Sequence, residues 1–370
     1  MKREVIPTIF FALLFPLSVV QYGQVFDFKL ILVELFLLIF SILYLFFFKI
    51  PKIIAIVFLL YFPTILFCLF NPIFSQVYEM IYVFILYFVF LSTSISYGSN
   101  LKKHSFIFIL NFFSFFCIFI HLLGFLIPDD NNLPGFSGVF GNPNIYGLFS
   151  CTSFVFLLIS ILELKYKPHW NLYFSLFFSI LGVFLSISRS SLSICIFVIL
   201  SYFFLVKIRT RKISFRFLFV SFITIIFVGF ISLYFNIFNE FLNKNNSLGD
   251  DLSNGRLDLW SYGIDIMNYT GLGRDFYSPF DLGFHNNYIN IGVIFGKNIL
   301  ISNLFFWFGL LLFLIYKYFC KNGSKFVFPM MMLVLMQMFW SIEVGSSFIF
   351  VWIFCLVFGY NLKNINPKVN

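Results

Sequence analysis

A chain of 370 residues that is 61% hydrophobic and only 11% charged has too little polar surface to clothe a water-soluble fold of its size. Its net charge of +9 does not mark a nucleic-acid surface, because the basic residues gather in short connections between apolar runs, where they set membrane topology. An all-α polytopic integral membrane protein is the fold class that remains.

Each apolar run is roughly 15 to 23 residues long, enough to cross a hydrocarbon core as a helix with its backbone hydrogen bonds satisfied internally. In chain order the runs fall near 5–20, 30–48, 53–70, 80–97, 105–127, 145–162, 170–187, 190–206, 217–235, 298–319, 326–342 and 346–360, so about twelve crossings are expected. The first has a basic start but no small-residue cleavage site after it, and is read as an anchor rather than a cleaved signal peptide. With both termini in the cytoplasm, basic residues such as Lys2, Arg3, Lys49, Lys52, Lys102, Lys103, Lys207, Arg209, Arg211 and Lys212 fall inside. Of the 24 Lys and Arg residues, only Lys29, Arg189, Lys244, Arg256, Arg274 and Lys297 fall outside. No internal repeat or domain boundary is visible, so residues 1–370 read as one transmembrane domain. The six cysteines lie in or beside apolar runs without paired spacing and are read as helix-packing residues.

Two outer segments interrupt this pattern. Pro128 to Asn144 is rich in Asp, Asn, Pro and Gly, which favour turns. Residues 236–297 form the one large extracytoplasmic loop. Within it Leu257, Trp260, Ile264 and Met267 recur at helical spacing opposite Asp258, Ser261 and Asp265, which predicts a short amphipathic helix lying on the membrane surface. A glycine turn, Gly271-Leu272-Gly273, follows. From His285 to Gly296 an apolar segment too short to span resumes as a half-helix leading into the crossing near Asn298.

The residues able to carry chemistry collect on the outer side. Arg189, in Ser188-Arg189-Ser190-Ser191, sits where two apolar helices meet. It either faces an anionic ligand or snorkels to headgroup phosphates. Arg256 and Arg274 offer guanidinium forks that suit phosphate oxygens, or else pair with the neighbouring Asp258 and Asp275. His285, at the junction of loop and membrane, can hold or deprotonate a hydroxyl near neutral pH, or serve structure alone. His121 is expected to hydrogen-bond between helices. Glu34 and Glu343 lie in or beside apolar runs. The doublets Asp129-Asp130 and Asp250-Asp251 are turn or surface residues before they are cation ligands. No histidine cluster, Gly-rich nucleotide loop, zinc-protease helix motif or G-x-S-x-G nucleophile occurs, so neither metal nor cofactor is expected.

Four motifs in order resemble the O-antigen polymerase and O-antigen ligase superfamily of bacterial surface polysaccharide assembly. Gly141-Asn142-Pro143-Asn144 is similar to its Asn-Pro-Asn turn, and Ser188-Arg189-Ser190 to its Ser-Arg-small motif. Asn254-Gly255-Arg256 with Trp260 resembles its Gly-Arg-x-x-x-Trp segment, and His285-Asn286 with Tyr288, Ile289 and Gly296 its His-Asn signature. Lys297-Asn298 departs from the pattern, which usually continues with apolar residues, and leaves the course of the half-helix open.

The resemblance implies a metal-independent membrane glycosyltransferase that takes a glycan from an undecaprenyl-diphosphate carrier and joins it to an acceptor hydroxyl. Arg189 and Arg256 would then stabilise the charge developing on the diphosphate, and His285 would orient or deprotonate the acceptor hydroxyl. Arg274, Asn144 and Asn286 would bind substrate, while Trp260, Tyr262 and Tyr288 would pack against sugar rings. The implied partners are the lipid-linked oligosaccharide, the bilayer of the bacterial cytoplasmic membrane, a flippase and a chain-length regulator. A Wzy-type polymerase, using a second lipid-linked repeat unit as acceptor, is preferred over a ligase by analogy. A flippase or transporter would carry its charges at mid-membrane, where this chain has little beyond Glu34. A membrane protein without catalysis would tolerate substitution of Arg189, Arg256 and His285.

Overall fold

A computed structural model describes residues 53–70, 86–127, 135–163, 169–210, 256–273, 284 and 286–320, together with isolated positions 8, 9, 12, 41, 44, 327, 328, 331, 332, 334 and 335. Among the described residues there is helix and no strand. The helices are α1 (Ile53–Leu69), α2 (Leu86–Asn100), α3 (Lys103–Leu126), α4 (Pro143–Glu163), α5 (Trp170–Leu185), α6 (Arg189–Thr210), α7 (Arg256–Ile266), α8 (Asn287–Phe295) and α9 (Lys297–Cys320), with a short 3-10 turn at Gly138–Phe140 before α4. Helices α1 to α6 and α9 fall on predicted apolar runs. The runs near 5–20, 30–48, 217–235, 326–342 and 346–360 lie outside the described residues, apart from isolated positions. Among the described residues three helices, α3, α4 and α9, are long and apolar enough to cross a membrane.

The chain divides into two compact units, residues 1–27 with 104–245 and residues 28–103 with 246–370. In the first, α4 is the central helix, buried along most of its apolar length, whereas less than half of the apolar span of α3 is buried. The exposed face of α3 is a stripe at helical spacing, Phe108, Phe115, Phe119, Leu122 and Leu126, and suits contact with lipid. Against α5, α4 packs through small side chains. Gly147, Ser150 and Ser153 on α4 and Ser175, Ser179 and Gly182 on α5, with Ser186 just after it, are all buried, and a Cβ built on Gly147 would stand 2.5 Å from Ser186 Oγ. Lipid supplies no hydrophobic drive between helices, so close backbone approach and short polar bonds do the joining. Ser114 Oγ donates to the Asn171 carbonyl at 2.7 Å, tying α3 to α5. Cys117 Sγ lies 3.5 Å from Ser153 Oγ, tying α3 to α4. Cys68, Cys117, Cys151 and Cys195 are buried and form no disulfide.

In the second unit Thr64 Oγ1 of α1 donates to Ser302 Oγ of α9 at 3.0 Å, and Tyr61 meets Phe306 edge-on at 4.8 Å. Helices α8 and α9 are one apolar stretch broken at Gly296, whose φ of 102° is open to glycine and strained for other residues. The break resolves the course of the half-helix: α8 ends at Phe295 and α9 starts at Lys297.

Candidate functional site

The first unit presents Arg189 on a tight turn. After α5, Ser186 N–H donates to Gly182 O at 3.0 Å and Ile187 N–H to Phe184 O at 3.1 Å. The Ser186 hydroxyl bonds Val183 O at 2.8 Å and accepts from Ser188 N–H at 3.3 Å. Between them Ile187 has φ 49°, the only positive value outside glycine among the described residues. A β-branched residue there carries about 1–3 kcal/mol of strain and persists only where its surroundings over-determine it. Ser188 then starts α6: its carbonyl accepts from Leu192 N–H at 3.1 Å and its hydroxyl donates to Ser191 Oγ at 3.0 Å. Arg189 is the first residue of α6, half-buried. A guanidinium at a helix start adds positive charge to the positive end of the dipole, an arrangement that an anion relieves.

The Asn-Pro-Asn turn lies in the same unit and starts α4. Asn142 Oδ1 accepts from Asn144 N–H at 2.9 Å and the Asn142 carbonyl from Tyr146 N–H at 3.1 Å. Asn142 is thus the N-cap, with Pro143 at the first helical position, where its missing N–H costs nothing. The preceding segment reaches the Arg189 turn: Phe136 N–H donates to Leu185 O at 2.8 Å, and Gly135 abuts the Ser186 carbonyl. The first two motifs are therefore neighbours within this unit.

The second unit joins the other two motifs. Helix α7 starts at Arg256, and α8 is capped by Asn286, whose Oδ1 accepts from Tyr288 N–H at 3.0 Å and Ile289 N–H at 3.2 Å. Trp260 Nε1–H donates to Phe284 O at 2.8 Å, fastening α7 to the residue just before His285. Behind this bond Met267, Phe284, Ile289 and Val293 form a buried cluster flanked by Trp260, Tyr262, Ile266 and Leu300. The loop after α7 then closes over the helix break. Leu272 N–H donates to Val293 O at 2.7 Å and Gly273 N–H to Ile294 O at 3.1 Å, while Lys297 N–H donates to Asn268 O at 2.8 Å. These bonds satisfy backbone groups that the break would otherwise leave bare. Asn268 Oδ1 folds the loop by accepting from Thr270 N–H at 3.1 Å and from Gly271 N–H. Lys297 sets its ammonium 5.9 Å from the centre of the Tyr269 ring.

Two expectations gain detail. Of the Leu257, Trp260, Ile264, Met267 stripe, Trp260 and Met267 pack inside the unit. Leu259 and Met267 are buried while Leu257 and Ile264 are largely exposed, because Gly263 lets α7 press on Ile289 and Phe284. Tyr288 is buried with its hydroxyl donating to Val334 O at 3.2 Å, so its polar atom is engaged in packing, as is the indole N–H of Trp260. Asn144 is half-buried and Asn286 buried. His285, Arg274, the Arg256 side chain, and the doublets Asp129-Asp130 and Asp250-Asp251 lie outside the described residues. Arg189 belongs to the first unit; Arg256, Trp260, Tyr262, Asn286 and Tyr288 belong to the second.

His121 makes the interhelical bond expected of it: Nδ1 lies 2.7 Å from Tyr146 Oη. Sequence reading missed Tyr146, Ile187, Asn268 and Phe284. Only Asn268 carried a signal, since an Asn shortly before a Gly-x-Gly turn is a common side-chain acceptor for the turn's amides.

Residues 174–314 match the family model described as O-antigen ligase. The matched span runs from α5 to α9 and contains three of the four motifs. No curated protein and no solved structure matches the chain.

Proposed function

With an O-antigen ligase domain at residues 174–314 as the premise, we propose that this membrane protein is a polysaccharide polymerase. It joins undecaprenyl-diphosphate-linked repeat units at the outer face of the bacterial cytoplasmic membrane, with both its termini in the cytoplasm. The supporting observation is that the motif arginines open helices, Arg189 as the first residue of α6 and Arg256 as the first of α7. Each therefore adds its charge to the positive end of a helix dipole, a combination suited to holding a diphosphate.

In this reading the acceptor hydroxyl oxygen bonds to the anomeric carbon of the donor while the bond from that carbon to the phosphate oxygen breaks. The diphosphate leaves with the electron pair. Arg189 and Arg256 stabilise the charge that grows there, an effect worth most in a partly dry site. The proton of the acceptor hydroxyl passes to His285, the residue before the Asn286 cap of α8. Arg274, Asn144, Asn286 and Tyr262 bind the sugars, and no metal enters. A flippase that delivers the donor and a regulator of chain length are the partners this activity needs.

The matched description favours a second reading, an O-antigen ligase that hands the lipid-linked glycan to a terminal acceptor. The test is polymer length on a gel from a strain lacking this gene, complemented with wild type, Arg189→Ala, Arg256→Ala or His285→Ala at equal membrane abundance. For a polymerase, wild type restores long chains and each variant leaves single repeats on the acceptor, with at least ~100-fold less polymer, the loss typical of one transition-state donor. Mutants as active as wild type remove the proposed site, and a deletion strain without even single repeats moves the ligase ahead.

A further inference from the structure

We propose that His121 is a positioning residue for Arg189: through Tyr146 it braces the left-handed turn at Ile187 from which α6 starts. The inference rests on Arg189 serving the reaction proposed above.

His121 is wholly buried in the first unit. Its Nδ1 is bonded to Tyr146 Oη at 2.7 Å, and its Nε2 has no hydrogen-bond partner. An imidazole that leaves half of its polar capacity unused is an expensive packing residue, since a buried unmade bond costs more than a made one returns. Its place is fixed by rings on several sides: Tyr146 edge-on at 5.4 Å, Phe149 tilted at 5.7 Å and Phe178 stacked at 6.3 Å. Its Cε1 also lies 2.9 Å from where a Cβ on Gly182 would stand, so the ring rests on the last turns of α5. What the single bond at Nδ1 achieves is to fix the phenol of Tyr146.

Tyr146 passes that constraint outward. It is buried, stands edge-on to Phe136 at 5.2 Å and lies against Gly138 with no room for a Cβ between them. Phe136 N–H is the donor to Leu185 O at 2.8 Å, and Gly135 lies on the Ser186 carbonyl. A continuous line of contacts thus runs from His121 to the two residues preceding Ile187, and Ile187 is the strained residue. Strain of that kind relaxes unless neighbours hold it, and the 135–138 segment, held in turn by Tyr146, is the neighbour on its N-terminal side. Relaxation would re-aim the first residue of α6, which is Arg189.

The test compares full-length proteins at equal membrane abundance in membranes carrying the strain's own lipid-linked repeat units, with polymer yield as the readout. His121→Phe and Tyr146→Phe are each expected to lower yield roughly 5- to 10-fold, the scale of one lost hydrogen bond in a positioning network. Glycine adopts the left-handed region freely. Adding Ile187→Gly to Tyr146→Phe should therefore bring yield back to within about 2-fold of wild type, a rescue that a helix-packing role for the pair does not predict. Wild-type yield in Tyr146→Phe, or a loss that Ile187→Gly leaves unchanged, overturns the inference. Should His121→Phe fail to accumulate, the Tyr146→Phe pair decides. Arg189→Ala alongside separates the failures: if it polymerises normally, the role of Arg189 falls and this inference with it. If it is inactive while Tyr146→Phe stays unrescued, the brace alone falls.

Discussion

The two units hold their motif residues by different physics. Around Arg189 the chain is held by close packing of small side chains, hydroxyls bonded to nearby backbone, and a strained turn. Around Asn286 it is held by backbone amides of a loop that pair with the carbonyls of a broken helix, over an apolar cluster. Strain needs many weak contacts at once and tolerates no slack, whereas a clamp of backbone bonds depends on the loop keeping one conformation. The same end, a motif at the start of a helix, is reached by each route.

The clamp should be the easier of the two to destroy. Gly271→Val places a side chain against the carbonyl carbons of Ile294 and Phe295, each 2.7 Å from a built Cβ, at a φ of 88° that disfavours valine. Because backbone cannot step aside, a loss of at least ~3 kcal/mol is expected, seen as early cleavage between residues 256 and 273 in limited proteolysis of the solubilised protein. Gly182→Val in the first unit meets His121 Cε1 at 2.9 Å and Ser150 Cβ at 3.1 Å. Those side chains can yield, so overpacking of about 1–3 kcal/mol is expected, read as a lowered thermal midpoint with the proteolytic pattern unchanged. If Gly182→Val proves the more damaging, the contrast between clamp and packing is wrong. Leu257→Gln with Ile264→Gln, on the exposed face of α7, should move the midpoint by no more than about 0.5 kcal/mol. A larger drop would mean that this face is covered in the membrane.

That last pair marks the limit of what the sequence discloses. Hydropathy located α3, α4 and α9 well, because long apolar runs answer to bilayer thickness. On α7 it did not single out Gly263, which packs on Ile289 of α8. A buried glycine has no hydropathy signal, and in a membrane protein a large apolar side chain marks a lipid-facing position as readily as a packed one. The motifs were legible as residue types, and the Asn-Pro-Asn turn also as a cap. That the Gly-Arg and His-Asn motifs lead into helices was legible from the spacing of the apolar residues after them; the side-chain cap that Asn286 supplies to α8 was not. Ile187 was invisible for a simpler reason: nothing in an isoleucine between two serines announces a left-handed backbone.

The bonds from Leu272 and Gly273 to the end of α8 also bear on how the protein is made. The carbonyls they cover belong to residues about twenty positions later in the chain, so α8 cannot settle in an apolar environment until the segment 268–273 is already folded against it. Synthesis and insertion run from the N-terminus, and the segment 268–273 is therefore made before the half-helix finds its seat. A deletion in that loop would register first as a protein that stalls during biogenesis and is degraded, before any question of its chemistry arises.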